Sequence, residues 1–378
     1  MAIQKKQKLI LIFLGMLISQ AMSQPSVSIT SYLVRDDNEY QSRDAYNTLM
    51  NHSSLQVGYG WDQQTIRLRG YYSIETNQFN DNSLFNSTAH QFLLKNSFDY
   101  RENIIQINGL FKIRKYDDDL NYYNINQYQF SAQIQNSPSL ERIGTAGLLI
   151  QKDMYPEYRD LDNFTYQLYT QYQYFFQGGL SLSGNASLGV KNYLNQSVHL
   201  DYGSDVDPER TVEETVKASQ IRGSVKLGKS LTRKMGVSLT LGGQWFVGDP
   251  IESYTGGIYY YTENDLYDDP YAYQGSYADV MLTRQFNIGF QVKLGARTQA
   301  KDYAGTPALD ENAELKGETR WDTRNEYYLT INKKITTTWR IPEAISLFAN
   351  FIYRQNPSND PYYDFEDQIG VVGFSVGF

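Results

Sequence analysis

Basic residues recur in this chain at two- and four-residue spacings within segments of alternating polarity. They are Arg67 with Arg69, Lys112 with Arg114, Arg222 with Lys226, and Lys293 with Arg297, while Arg354 stands alone. Residues two and four apart share one face of a strand, so each pair gathers positive charge on one side of a sheet. In a sheet closed into a barrel, with its apolar rows turned outward, these nine side chains line the lumen. A ring of one sign biases ion passage, which gives the lumen an anion preference. Arg67 with Arg69 and Lys112 with Arg114 fall on adjacent up-strands and would form a basic ladder. The competing reading is that the cations hydrogen-bond across the barrel and fill it. Acidic residues are sparser in these rows, with Glu326 one example.

Carboxylates gather instead in the long connections, as in Asp117 to Asp119 and in Asp201, Asp205 and Asp207. Oxygen ligands of this kind suit Ca²⁺, but no cluster has the EF-hand spacing, and solvated loop charge explains them as well. Catalytic sets are missing. The only histidines are His52, His90 and His199; His90 is near Ser87 and Asp81, and His199 near Asp201. No nucleophile elbow, zinc-protease helix or triad spacing accompanies them. Phosphate loops and dinucleotide fingerprints are absent. With no Cys in the chain, thiolate chemistry and disulfides are excluded. The expectation is a non-enzyme without cofactor.

The elements that must position these residues are strands. From Leu180 to Val190 the even positions are Leu, Leu, Gly, Ala, Leu and Val, against Ser, Ser, Asn, Ser and Gly. Val237 to Val247, Phe164 to Phe176 and Phe286 to Ala296 alternate likewise, whereas a helix would space its apolar residues three and four apart. Sixteen such segments can be counted, or 14 if one weak hairpin is lost, and they leave no room for a separate globular domain. Tight links alternate with long ones. The tight set includes Thr283 to Gln285, and the long set includes Gly248 to Ala272 and Thr298 to Lys316. Leu231-Thr232-Arg233-Lys234 is echoed by Leu282-Thr283-Arg284-Gln285, each before an up-strand. The fold expected is all-β: a transmembrane, antiparallel, up-and-down barrel over residues 24–378.

Lys5, Lys6 and Lys8 precede the apolar run Leu9 to Ile18, and Ala21-Met22-Ser23 provides a small-x-small cleavage site. This is the layout of a secretory signal peptide over residues 1–23. At the other end, Gln368 to Phe378 places Gly370, Val372, Phe374, Val376 and Phe378 in one register. That segment resembles the closing strand of bacterial outer-membrane β-barrels. The resemblance implies that Phe374, Val376 and Phe378 are read by the outer-membrane assembly machinery, and that the protein resides in outer-membrane lipid. The wealth of Tyr, Asn and Asp is similar in style to barrels of Bacteroidota and Chlorobi-type bacteria.

Composition agrees with a barrel. There are 33 Tyr, and mean hydropathy is −0.53; a barrel can be this polar because only alternate strand residues meet lipid. Of 34 Lys and Arg, the leader holds three, so 31 remain against 42 Asp and Glu, a net −11. Such an acidic chain is a poor partner for nucleic acid. Two functions are expected in order: a porin-like channel for small polar or anionic solutes, then a closed structural barrel that displays its loops or scaffolds a surface lipoprotein. Tyr71, Tyr169, Phe246 and Phe348, on inward registers, would obstruct the pore in the second reading. So would a folded-in Gly248 to Ala272 connection.

Overall fold

Strand periodicity dictates an architecture in which every strand finds two partners. The computed structural model describes residues 24–37, 47–80, 85–197, 215–248, 271–287, 289–336 and 344–378. The proposed leader, His199 and Asp201, Asp205 and Asp207 lie outside them. The strands are β1 (Gln24–Asp36), β2 (Thr48–Gln63), β3 (Ile66–Phe79), β4 (Ser87–Tyr100), β5 (Asn103–Tyr116), β6 (Ile125–Ser139), β7 (Arg142–Met154) and β8 (Asn163–Phe176). They continue as β9 (Leu180–Ser197), β10 (Thr215–Thr232), β11 (Met235–Phe246), β12 (Gly275–Gln285), β13 (Phe290–Leu309), β14 (Leu315–Thr336), β15 (Ala344–Asn356) and β16 (Phe365–Gly377).

Each strand pairs antiparallel with its sequence neighbours, and β1 pairs with β16, which closes a 16-strand barrel. Closure removes the free edges an open sheet would expose. At the seam, Ile29 faces Val376 and Leu33 faces Val372, while Thr30 Oγ1 donates to Ser375 Oγ at 3.0 Å. Val27 and Phe378 exchange two backbone hydrogen bonds, at 3.1 and 2.8 Å.

Side-chain alternation separates the two faces of the wall. Leu168, Val225, Leu294 and Val372 are 54–61% exposed and share registers with the other large exposed apolar residues, including Phe374 and Phe378. The opposite register carries Gln, Ser, Asn, Tyr and the charged side chains. The apolar surface of this protein is thus on its outside. Within the described residues, buried apolar packing is confined to small groups such as Ile125, Tyr155 and Leu161, where the β7–β8 connection folds over the wall. All strands have 11 residues or more, enough for a membrane crossing of about 9–11 residues.

Two boundaries differ from the sequence expectation. The β12–β13 turn lies after Gln285, and β13 begins at Phe290 instead of Phe286; Gly289, at φ +72°, supplies the reversal. The segment Thr298 to Lys316, expected as a long polar link, is mostly strand: β13 and β14 run 20 and 22 residues and meet at a tip around Asp310. It looks polar in sequence because its inward residues Gln299, Lys301 and Tyr303 are polar, yet they are buried, with Asp322 and Arg320 of β14 facing Lys301 and Tyr303 across the hairpin.

Inward aromatics follow a rule. Tyr71 lies opposite Gly58, Tyr169 opposite Gly147, Tyr277 opposite Gly242, Tyr328 opposite Gly295 and Phe348 opposite Gly373. A β-carbon on Gly147 or Gly242 would come within 2.6 Å of the facing tyrosine ring. The rings therefore lie flat on bare backbone, as aromatic side chains do when they cover a sheet glycine. Tyr71, Tyr169 and Phe348 follow the wall, which removes the obstruction expected of them.

The barrel lumen as candidate functional site

Arg67, Arg69, Lys112, Arg114, Arg222, Lys226, Lys293, Arg297 and Arg354 all occupy the register opposite the exposed apolar rows. Several have carboxylate partners. Arg67 pairs with Asp99. Arg69 lies 3.6 Å from Asp62 and Arg114 3.6 Å from Glu75. Lys112 stands between Gln91 and Gln127 on the neighbouring strands. The expected basic ladder of β3 and β5 is thus a set of cations interleaved with acids.

On the other side of the barrel a single row crosses five strands. Asp367, Arg354, Glu326, Arg297 and Asp279 face one another in register from β16 to β12. Arg354 donates from Nε to Glu326 at 2.8 Å and from Nη1 to Asp367 at 3.0 Å. Arg297 lies with its guanidinium 4.5 Å from the Tyr277 ring centre, and the Tyr328 hydroxyl donates to Asp279 at 2.8 Å. Opposite charges directly across a sheet stabilise each other, and signs alternate along the row. Beyond Asp279 the row passes Thr240 to Lys226. Lys226 and Lys293 have no carboxylate within 4 Å among the described residues.

The long-loop end is narrowed from inside. Tyr271, on the connection entering β12, reaches back past two strands to cover Gly189 of β9, and Arg222 lies over its ring at 4.6 Å. The Tyr273 carbonyl accepts from Gln220 and Gln244, both at 2.8 Å, and its hydroxyl accepts from Gln299 at 2.9 Å. Gln274 and Asp302 exchange two backbone hydrogen bonds. The segment Tyr271–Gln274, whose first two residues end the Gly248 to Ala272 connection, is therefore folded inward, held by β9, β10, β11 and β13. Beside it, Arg320 lies between the rings of Tyr303 and Tyr363, at 4.1 and 3.3 Å from their centres, and donates to Asp322 at 3.0 Å.

The two described histidines lie on opposite faces of the wall. His52 stacks on Tyr32 and bonds Asn77 at 2.7 Å; His90 lies on the outer face, where its Nδ1 is 2.8 Å from the Tyr72 hydroxyl. Asp36, Asp37 and Asp367 bring carboxylate oxygens within 4.8 Å of one another near the seam, but Arg354 already occupies one oxygen of Asp367. The sequence reading missed Asp62, Glu75, Asp99, Asp279 and Asp367 as inward groups. Their signal was available, since each occupies the polar register of its own strand.

Residues 236–378 match the family described as surface lipoprotein assembly modifier. No curated protein matches the chain. Among solved structures, the outer membrane protein OprD from Pseudomonas aeruginosa is similar with a TM-score of 0.52, at 9% identity over 95% of this chain and 95% of its own. OccAB1 from Acinetobacter baumannii gives 0.50 and 10% over 96% and 97% of the two chains. CdiB from the same organism gives 0.51 and 11% over 93% of this chain, which spans 60% of CdiB. The fold is that of the outer-membrane β-barrels. At such identities the likeness is one of fold alone.

Proposed function

We propose that this protein is an outer-membrane β-barrel that takes part in placing lipoproteins on the cell surface. The match of residues 236–378 to the lipoprotein assembly family carries this reading, because a likeness of fold alone does not distinguish one barrel function from another. The matched segment runs from β11 to β16. It includes the inward-folded Tyr271–Gln274 tail and the acid–base row from Asp279 to Asp367. On this reading residues 1–23 are removed as a secretion signal, the long connections face the outside, and the short turns lie in the periplasm. The outward row of Phe374, Val376 and Phe378 offers the assembly machinery its handle. The protein positions its partner and transforms nothing.

A second reading, porin-like passage of small polar or anionic solutes, is favoured by the lumen itself. Its rings lie flat on the wall, its rows are polar, and Lys226 and Lys293 lack carboxylate partners among the described residues. One experiment separates the two. In a deletion strain, surface lipoproteins are assayed by protease shaving and small-solute uptake is measured in parallel. Loss of surface lipoproteins with unchanged uptake supports the first reading. Unchanged display, together with ion-selective conductance steps from the purified protein in planar bilayers, would overturn it in favour of the second.

A further inference from the structure

We propose that the outer wall of the barrel, at the short-turn end of β10 to β14, binds the phosphate of a lipid headgroup. The inference rests on the reading that the barrel spans a membrane. Segments 229–236, 283–294 and 329–336 together contain seven Lys and Arg, of which Lys293 and Lys334 fall on the inward register, and no Asp or Glu. Three of these cations continue outward-facing apolar rows at a two-residue step: Leu227 then Lys229, Leu282 then Arg284, and Ile331 then Lys333. A strand rises about 3.3 Å per residue, so each cation lies roughly 7 Å beyond its apolar neighbour. Beyond two of them the rows carry one more apolar residue, Leu231 and Ile335, so the cations sit among the last apolar side chains, at the level where headgroup phosphates lie between hydrocarbon and water.

Among the described residues none of these three, nor Lys234, has a carboxylate within 4 Å. Lys229 donates to the Gly178 carbonyl at 3.0 Å, and the Arg284 guanidinium lies 4.9 Å from the Phe286 ring centre. The turns elsewhere differ, with Arg67 and Arg69 set against Asp99 and Asp62.

A cleft of about 620 Å³ opens between the β10–β11 and β12–β13 turns. Lys234 and Arg284 supply its charge, Thr232 and Gln285 its neutral hydrogen-bonding groups, and Met235 and Phe286 its apolar lining. Cations meet a phosphate, and the apolar lining meets the stem of an amphiphile. Free phosphate has no use for that lining, which commits the site to lipid. The echoed Leu-Thr-Arg-Lys and Leu-Thr-Arg-Gln turns are the two sides of this cleft.

The test compares the full-length protein with a K234Q/R284Q/K333Q variant, reconstituted in vesicles of phosphatidylglycerol or phosphatidylcholine. Lipid retained after extraction into detergent is counted by native mass spectrometry. The wild type is expected to retain phosphatidylglycerol at least about tenfold over phosphatidylcholine, and the variant to lose most of that preference. Equal retention of the two lipids, or an unchanged preference in a variant with intact β-sheet dichroism, would overturn the site. Displacement of lipid by millimolar inorganic phosphate would reassign it to a free anion. If the triple variant does not fold, R284Q and K234Q singly are read the same way. Failure of the membrane reading is distinct: the wild type would not enter vesicles of either lipid and would gain no protease protection.

Discussion

The Tyr271 hydroxyl occupies the space where Gly189, on a strand beyond the two that intervene in the sheet, would carry its β-carbon. A connection can be seated on the inner wall only where the wall leaves room for it. Tyr271→Ala is expected to loosen the tail and raise single-channel conductance or liposome swelling several-fold. Gly189→Leu, which denies the ring its seat, should do the same. Unchanged conductance in both would show that the Tyr271–Gln274 tail does not limit the lumen.

Arg354 holds two carboxylates at once, and Asp367 is almost fully buried. Arg354→Leu leaves both acids without their cation, a change that costs about 3–5 kcal/mol when a buried pair is broken on one side. The urea midpoint of the reconstituted protein should fall accordingly. Adding Asp367→Leu should recover part of the loss, because the buried carboxyl left without a partner goes with it. A double variant no more stable than the single one would mean that the row from Asp279 to Asp367 does not act as charge pairing.

Arg320 between Tyr303 and Tyr363 is expected to hold the extended β13–β14 hairpin against the β15–β16 connection. Arg320→Lys keeps the charge but loses the planar fork to Asp322 and the ring stacking. A loss of about 1–2 kcal/mol is expected, seen as faster limited proteolysis within residues 303–320 while the rest of the barrel stays resistant.

Gly147→Val places a branched side chain under Tyr169 and threatens its 2.7 Å hydrogen bond to Gln133. Overpacking of this kind costs about 1–3 kcal/mol. The ring should be driven off the wall into the lumen, so conductance falls as stability does. A stability loss without any fall in conductance would mean that the ring moves along the wall.

Asp310, at the β13–β14 tip, accepts the backbone N–H of Glu314 at 2.9 Å and of Asn312 at 2.8 Å. These bonds, with that to Glu314 first, hold its carboxyl below the ordinary Asp range. A carboxyl depressed in the ordered tip favours order above its free pKa of about 3.9. That preference is lost as pH falls through the lowered value. Carboxyl-carbon NMR should show Asp310 titrating below a free Asp, and Asp310→Ala should abolish the acid-dependent change in the Asn312 and Glu314 amide shifts.

How far the sequence reaches follows from what each residue reports. Period-two alternation is local, so Leu180 to Val190 and Val237 to Val247 declare their strands and faces without help, and sixteen strands follow. The extension of β13 and β14 was illegible because Lys301, Arg320 and Asp322 look solvated until their partners across the hairpin are known. The cations of the lumen could be placed by register. Their neutralisation could not, since Arg114 meets Glu75, and Arg354 meets Glu326 and Asp367, from other strands. The inward tail at Tyr271 depends on a glycine on β9, a relation that no local pattern contains.

The hydrogen bond from Thr30 to Ser375 joins residues 345 positions apart, while every other strand pairing is made between sequence neighbours. Fifteen hairpin contacts can therefore form early and locally, but the sixteenth must wait for the two most distant strands to meet. Contacts of such separation form slowly. Until then β1 and β16 are two open edges able to template pairing with another chain. The interval before that single encounter is when this chain most needs shelter, and variants at Thr30, Leu33, Val372 or Ser375 should lengthen it without weakening the finished barrel in proportion.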